Sequence, residues 1–273
     1  MGSGPEPHSQ HLVNGRPESR LAVLDRGLTY GDGVFRTLRI RQGAPRWWTE
    51  QWAALVADGA RLGIDVPPEC LWLADLGCLD LPKDGVARLT VTRGTGHRGY
   101  RAVGLSDPTR IISVWAAPPL ADGPASIEAR LCDLRLSHQP ALAGIKHLNR
   151  LENVMARREW NASHIQEGIL LDQAGNLVSG VMSNLFLRRG DTLLTPALDH
   201  CGVAGVTRAR LMALAPKAGY RVEETRLDLP ALLEAEEVMF TNSVFVLWHL
   251  ARLGDRAWPE PVASHRLWKL LNA

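Results

Sequence analysis

The stretch "GILLDQAGNLVSGVMSNLFLRRGDTLLTP", residues 168–196, consists of short apolar runs cut by "DQAGN" and "RRGD". Glycine next to asparagine or aspartate supplies the backbone freedom of a tight turn, and aliphatic and β-branched residues fill the runs between. The stretch therefore predicts strands separated by turns. Downstream, "GVTRARLMALAPKAG" (205–219) predicts a helix entered from a glycine-bearing loop, and residues 237–241 and 246–252 predict more strand. Upstream, a strand is expected at about 127–136. A helix is expected at about 149–160, because Leu148, Leu151 and Met155 recur at helical spacing.

Further towards the N-terminus, "APPLADGP" (117–124) is a Pro/Gly-rich interruption that reads as a linker. Before it, Asn14-Gly15 between short apolar runs predicts an opening hairpin, and residues 49–63 have helical spacing. "VARLTVTRG" alternates Ala87, Leu89 and Val91 against Arg88, Thr90 and Thr92 as a half-buried strand does, and "TRIISVWAAP" predicts another. The expectation is an α+β protein in two lobes, 12–118 and 119–273, behind a polar, Gly/Pro-rich leader (1–11) expected to be disordered. That leader has no apolar run of the kind a signal peptide carries.

Composition narrows the function. The chain of 273 residues has 31 basic and 29 acidic residues, well mixed, so no electrostatic footprint for nucleic acid or a membrane surface appears. No apolar run is long enough to span a bilayer. Cys70, Cys78, Cys132 and Cys201 are scattered without zinc or redox spacing, and "DHC" (199–201) lacks further ligands, so no metal site is expected. Reduced thiols point to the cytoplasm, and the expected partner is a small molecule.

The residue with the most chemical potential is Lys146 in "AGIKHLNRLENV" (143–154). A lysine attacks carbonyl compounds only as the free amine, which desolvation or a nearby cation favours, and His147 and Arg150 are close in sequence. The alternative is that Lys146 merely solvates the start of a helix. If the carbonyl compound were pyridoxal phosphate, a phosphate cradle of backbone N–H groups at a helix start is needed as well. Gly202, Gly205, Val206 and Thr207 in "GVAGVTRARL", with "TNSV" at 241–244, offer one, although a helix cap and a turn explain the same residues.

In order along the chain, "LAVLDRGLTYGDGVFRTLR", "RGTGHRGY", "GIKHLNRLENV", "SNLFL", "GVTR" and "EVMFTNS" resemble the motifs of the fold type IV pyridoxal-phosphate enzymes. The resemblance runs from Leu12 onward, and "RGTGHRGY" with "GIKHLNRLE" is similar to the branch that cleaves 4-amino-4-deoxychorismate to 4-aminobenzoate and pyruvate. It implies two α+β lobes with the cofactor between them, and a homodimer whose partner chain helps to close each site. It also implies Lys146 as the Schiff-base lysine and general base, and Val206, Thr207, Asn242 and Ser243 at the phosphate. Arg150 falls near the cofactor ring. For a substrate with two carboxylates, Arg98 with Tyr100, and Arg88, are the candidate partners. For Arg88 a solvated strand-face residue is the competing reading.

Two positions depart from the family pattern. Ser179 stands where relatives carry the glutamate that pairs with the pyridine nitrogen. Gln51 and Ala54 stand where relatives carry His-x-x-Arg, whose arginine binds the phosphate. A serine cannot hold the ring proton as an ion pair, which disfavours an aminotransferase acting on branched-chain or D-amino acids more than a lyase whose product is aromatic. A degenerate, non-catalytic paralogue is the remaining alternative.

Overall fold

The structure is a computed structural model that describes residues 10–102 and 107–273. The expected leader falls outside the described residues up to position 9, but Gln10 and His11 are already strand. The chain divides into two compact units. One comprises the described residues up to Pro119 together with Lys146–Asn149, and the other comprises Leu120–Ile145 and Arg150–Ala273.

The first unit is a six-stranded antiparallel sheet with helices. Its strands are β1 (Gln10–Val13), β2 (Arg16–Pro17), β3 (Gly33–Arg41), β4 (Ala44–Pro45), β5 (Asp84–Thr92) and β6 (Thr109–Ala116), in the order β2-β1-β6-β5-β3-β4. Asn14 (φ 49°) and Gly15 (φ 80°) make the opening turn. The helices are α1 (Arg26–Tyr30), α2 (Trp48–Arg61) and α3 (Glu69–Gly77). Ala87, Leu89 and Val91 of β5 are fully buried, as their alternation predicts, together with Val34, Leu38 and Ile40 of β3 and Leu55 of α2. The buried stripe of α2 is Gln51, Leu55, Asp58 and Gly59, so two polar residues occupy core-facing positions. Asp25 is wholly buried and accepts from Gly27 N (2.7 Å), Thr92 Oγ1 (2.9 Å) and Thr109 Oγ1 (2.7 Å), which fixes the start of α1 against the sheet.

The second unit holds a mixed sheet of nine strands. These are β7 (Ala125–Leu136), β8 (Ile165–Asp172), β9 (Leu177–Gly180), β10 (Asn184–Arg189), β11 (Thr192–Pro196), β12 (Arg221–Thr225), β13 (Glu237–Asn242), β14 (Val246–Leu253) and β15 (Arg256–Ala257). The order is β12-β11-β10-β13-β14-β7-β8-β9, with β15 on β14. Pairs β11/β12, β14/β7 and β7/β8 are parallel. The helices are α4 (Leu151–Arg157), α5 (Val206–Leu214), α6 (Leu229–Leu233) and α7 (Val262–Asn272). Ile169, Leu185, Leu187, Val238, Phe240 and Leu250 form the centre of the core.

Four sequence expectations change in detail. The helix expected at 149–160 is only α4, and its apolar side chains face outward: Leu151, Val154 and Met155 are 72%, 54% and 46% exposed. Asn149 belongs instead to the first unit, where its Nδ2 donates to Gly31 O (3.1 Å). The helix at 205–219 ends as α5 at Leu214 and tightens into a 3-10 turn containing Pro216, whose ring cannot continue an α-helix. The run 177–189 is broken at Val181–Ser183, because Glu167 gathers the backbone N–H groups there into a turn.

Candidate functional site

Lys146 was placed in the second lobe by sequence, yet residues 146–149 group with the first unit, and the hydrogen bonds explain why. Phe35 N donates to Lys146 O (3.0 Å), Leu148 N donates to Gly33 O (2.9 Å), and His147 bridges Val34, so the segment lies along the start of β3. Gly33 permits this, since a Cβ there would run into the Val91 carbonyl and the Leu148 side chain. On the other side Lys146 N donates to Asp58 Oδ2 (2.9 Å) of α2. The Lys146 side chain is half-buried, and its Nζ stands 4.4 Å from the centroid of the Phe35 ring. The guanidinium of Arg88 contacts the same ring at 4.0 Å. Strand β5 thus brings one predicted substrate cation to the aromatic platform that carries Lys146, in cation–π geometry. Burial pushes the Arg88 guanidinium below its ordinary value, and it remains charged.

Arg98 and Tyr100 sit elsewhere on the same unit, on the loop after β5. The loop backbone is tethered: Arg26 donates to Gly99 O (2.8 Å) and Tyr100 O (3.2 Å), and Gly99 N donates to the Tyr30 hydroxyl (2.9 Å). Arg26 is held in turn by Asp32, which also receives Arg93. Burial raises the Asp32 carboxyl, but hydrogen bonds and charge from Arg93 and Arg26 override it and leave Asp32 below the ordinary carboxylate range. The side chains of Arg98 and Tyr100 are displayed outward, Tyr100 at 87% exposure.

In the second unit the cradle residues meet. Gly205 is the N-cap of α5 in extended conformation and places no side chain on the first amides of the helix. A Cβ at Gly205 would run into Asn184 Oδ1, whose amide nitrogen holds the Val203 carbonyl (2.8 Å). Thr207 is buried with its hydroxyl 3.4 Å from that of Ser243. Val206 is buried, so its contribution to a ligand is its amide. The Asn242 carboxamide is committed to shaping the turn: its Oδ1 accepts from Val244 N (2.9 Å) and Phe245 N (3.0 Å), and its Nδ2 donates to Met182 O (3.2 Å). Thr241 is fully buried, with a hydroxyl that has no partner among the described residues. Uncapped helix amides and two converging hydroxyls, with Gly205 placing no side chain over them, fit a phosphate-bearing group.

The two departures keep their character. Ser179 is buried on β9, and the buried carboxylate beside Gly180, Glu167, is saturated by Gly168 N (2.9 Å), Val181 N (3.0 Å), Met182 N (3.4 Å) and Ser183 Oγ (2.7 Å). Glu167 therefore offers no replacement for a ring-nitrogen carboxylate. At Ala54 no side chain reaches out, but its carbonyl accepts from Arg36 Nη2 (3.2 Å). Arg150 is the N-cap residue of α4, partly exposed. Sequence reasoning missed Phe35, Arg36, Asp58 and Glu167, while Thr241 fell within the stretch 241–244 that it offered for the cradle. Only Asp58 carried a signal, as an acidic residue one helical turn beyond Leu55 on the buried face of a helix.

Known proteins match over most of the chain. Residues 33–253 match the amino-transferase class IV family model, and the chain belongs to that family, with the fold type IV architecture. Within it, the chain is 32% identical to an aminodeoxychorismate lyase of Vibrio harveyi, covering 85% of this chain and 87% of the relative. It is 34% identical to an aminodeoxychorismate lyase of Bacillus subtilis, covering 85% and 82%. The crystal structure of 4-amino-4-deoxychorismate lyase from Pseudomonas aeruginosa superposes with a TM-score of 0.87 at 40% identity, over 96% of this chain and 97% of that one. Among the described residues no helix is long and apolar enough to cross a membrane, and no cluster of side chains has the make-up of a metal site.

Proposed function

We propose that the protein is a pyridoxal-phosphate-dependent lyase that converts 4-amino-4-deoxychorismate to 4-aminobenzoate and pyruvate. The observation that carries the reading is the shared Phe35 platform, which sets the amine of Lys146 and the cation of Arg88 on one ring. The lyases of comparable length that the chain resembles support it. Pyridoxal phosphate, when bound, supplies the electron sink that lets a C–H bond next to an amine ionise.

In this reading Lys146 is the residue that would hold the cofactor covalently. As a free amine, Lys146 Nζ would take the proton from the ring carbon that bears the substrate's amine. The electrons of that C–H bond pass into the ring as the neighbouring C–O bond breaks. The product ring is then aromatic, and the enolpyruvyl group leaves as the enol of pyruvate. The departing oxygen takes a proton, for which the protonated Lys146 is the donor, so no further reactant is consumed. The α5 amides at Val206 and Thr207, with the Thr207 and Ser243 hydroxyls, hold the phosphate, and Asn242 sets the turn that presents Ser243. Arg150 and Ser179 lie at the cofactor ring. Arg88 holds one substrate carboxylate, and Arg98 with Tyr100 holds the other.

The exposed apolar side chains Val23, Leu24 and Leu28, and the outward stripe of α4, support a homodimer, which gives the outward Arg98 and Tyr100 a surface to face. Four free cysteines support a cytoplasmic location. An aminotransferase fits less well, because Ser179 and the saturated Glu167 leave the pyridine nitrogen without a carboxylate among the residues named for that position. The test supplies the protein with enzymatically generated aminodeoxychorismate and follows both products. Equimolar 4-aminobenzoate and pyruvate, abolished by Lys146→Ala, is the expected result. No release above background with cofactor saturating refutes the proposal.

A further inference from the structure

Below the Phe35 platform lies a buried ion pair that the reaction as described does not use. Asp58 of α2 and Arg36 of β3 are 6% and 3% exposed, and Arg36 Nη2 donates to Asp58 Oδ2. The same oxygen accepts Lys146 N at 2.9 Å. With Phe35 N bonded to Lys146 O, both main-chain polar groups of the lysine are thereby pinned, one through the carboxylate and one through the strand. Arg36 is adjacent in sequence to Phe35, so one short piece of β3 supplies the ring under the Lys146 amine and the cation that holds its anchor.

The pair is a costly way to fill a core. Burial pushes the Asp58 carboxyl above its ordinary value in spite of Arg36, and pushes the Arg36 guanidinium below its own in spite of Asp58. Arg36 Nε is also buried without a partner among the described residues. Apolar residues of similar size in such a place commonly leave a fold as stable or more so, which makes packing a poor explanation for the pair. Its geometry supplies a better one, because the carboxylate oxygen that Arg36 holds is the same oxygen that anchors Lys146 N, while the remaining contact, Arg36 to the Ala54 carbonyl, ties the pair to α2.

We infer that Arg36 and Asp58 are positioning residues for Lys146: the Asp58 carboxylate, fixed by Arg36, holds the lysine main chain so that its amine stands over Phe35, ready to attack the cofactor aldehyde. This rests on the reading of Lys146 as the lysine that bonds pyridoxal phosphate. The pair holds the lysine, not the cofactor's phosphate, so it governs covalent capture and leaves non-covalent docking alone.

Two probes separate these events in the apoprotein without turnover. Pyridoxamine phosphate docks but cannot bond a lysine, and pyridoxal phosphate does both. Attachment to Lys146 is timed by borohydride trapping and peptide mapping, and folding is followed by circular dichroism. In the double variant Arg36→Met with Asp58→Leu, which removes both charges together, the expected result is a native fold, pyridoxamine phosphate affinity close to that of the unaltered protein, and attachment slowed about 10-fold or more. Asp58→Asn keeps an oxygen for Lys146 N but loses the pair, and is expected to fall between the two. It decides the matter alone if the double variant does not fold. Unchanged attachment in the folded variants overturns the inference, as does an equal loss of pyridoxamine phosphate binding, which would mark a merely structural pair. Failure of the unaltered protein to attach the cofactor at Lys146 would instead overturn the reading of the lysine.

Discussion

Glu167→Gln is the substitution that most directly tests how the second unit shapes its phosphate cradle. Glu167 is fully buried; its Oε1 accepts from Gly168 N and Val181 N, and its Oε2 accepts from Met182 N and Ser183 Oγ. Glutamine is nearly isosteric but converts one oxygen to a donor. The conversion is least damaging at Oε2, because the Ser183 hydroxyl can turn round and accept, while Met182 N is stranded. One buried donor left without a partner costs about 1–3 kcal/mol. In a chain of this size that lowers Tm by about 3–10 °C. Glu167→Leu strands the other donors as well and should cost about 3 kcal/mol or more. Burial holds the Glu167 carboxyl above its ordinary value, outweighing the donors that favour its anion. A carboxyl raised in this way keeps its proton in the folded chain at pH values where the unfolded chain has lost it. The stability of the unaltered protein therefore declines as pH rises from the unfolded value through the folded one, and glutamine removes that decline. The difference in Tm between the two proteins, measured by circular dichroism across pH, should be largest on the acid side and narrow as pH rises. Cofactor affinity should fall too, because the Met182 carbonyl receives Asn242 Nδ2. Equal Tm values, or a difference that widens with rising pH, would refute the reasoning.

Thr207→Ala and Ser243→Ala each remove one hydroxyl from the proposed phosphate cradle and should weaken pyridoxal phosphate binding about 10-fold or more, read from absorbance titration of the apoprotein. Arg98→Ala should raise KM with little change in kcat, by an amount equivalent to about 2–4 kcal/mol, and an unchanged KM would remove Arg98 from the substrate site. Asp32→Asn frees Arg26 and Arg93. Since Asp32 is depressed in the fold, its stabilisation is present above the unfolded carboxylate pKa and is lost as pH falls through the folded value. The Tm gap between Asp32→Asn and the unaltered protein should therefore close on acidification.

The parts of the fold legible in the sequence are those whose residues face one kind of neighbour. Strand β5 alternates because Ala87, Leu89 and Val91 meet the core, although Thr90 and Thr92 of its other face are buried too, and the turns at Asp172–Asn176 and Arg189–Asp191 announce themselves by glycine next to short polar residues. Hydrophobic periodicity marks an element without saying that its stripe is covered within the chain, as on α4, where Leu151 and Met155 recur at helical spacing yet are exposed. It is silent where polar residues turn inward. Arg36 looks like an ordinary surface charge, Asp58 is marked only by its place on the apolar face of α2, and only the pairing of β3 with the segment at Lys146 shows what they hold. The lysine, Thr207 and Ser243 could be proposed as site residues because motif order carries chemistry along a chain. Phe35 was not, because what matters is which cations share its ring.

The two departures from the family pattern become intelligible together once the demands of the proposed reaction are set against them. Ala54 removes a phosphate contact worth about 1.5–3 kcal/mol. The uncapped amides of α5, the paired hydroxyls of Thr207 and Ser243, and the covalent bond proposed for Lys146 remain to hold the cofactor. Ser179, at the position proposed to face the pyridine nitrogen, would weaken the ring as an electron sink, since a hydroxyl does not keep that nitrogen protonated as a carboxylate does. Transamination depends on that sink for the whole of its carbanion stabilisation. Cleavage of aminodeoxychorismate does not, because the electrons released at the ring carbon are drawn into an aromatic product as the enolpyruvyl oxygen leaves. A chain that has given up the stronger sink but kept a pinned lysine amine, with an arginine on the same aromatic ring, has kept the features that proton removal from a carboxylate-bearing ring requires.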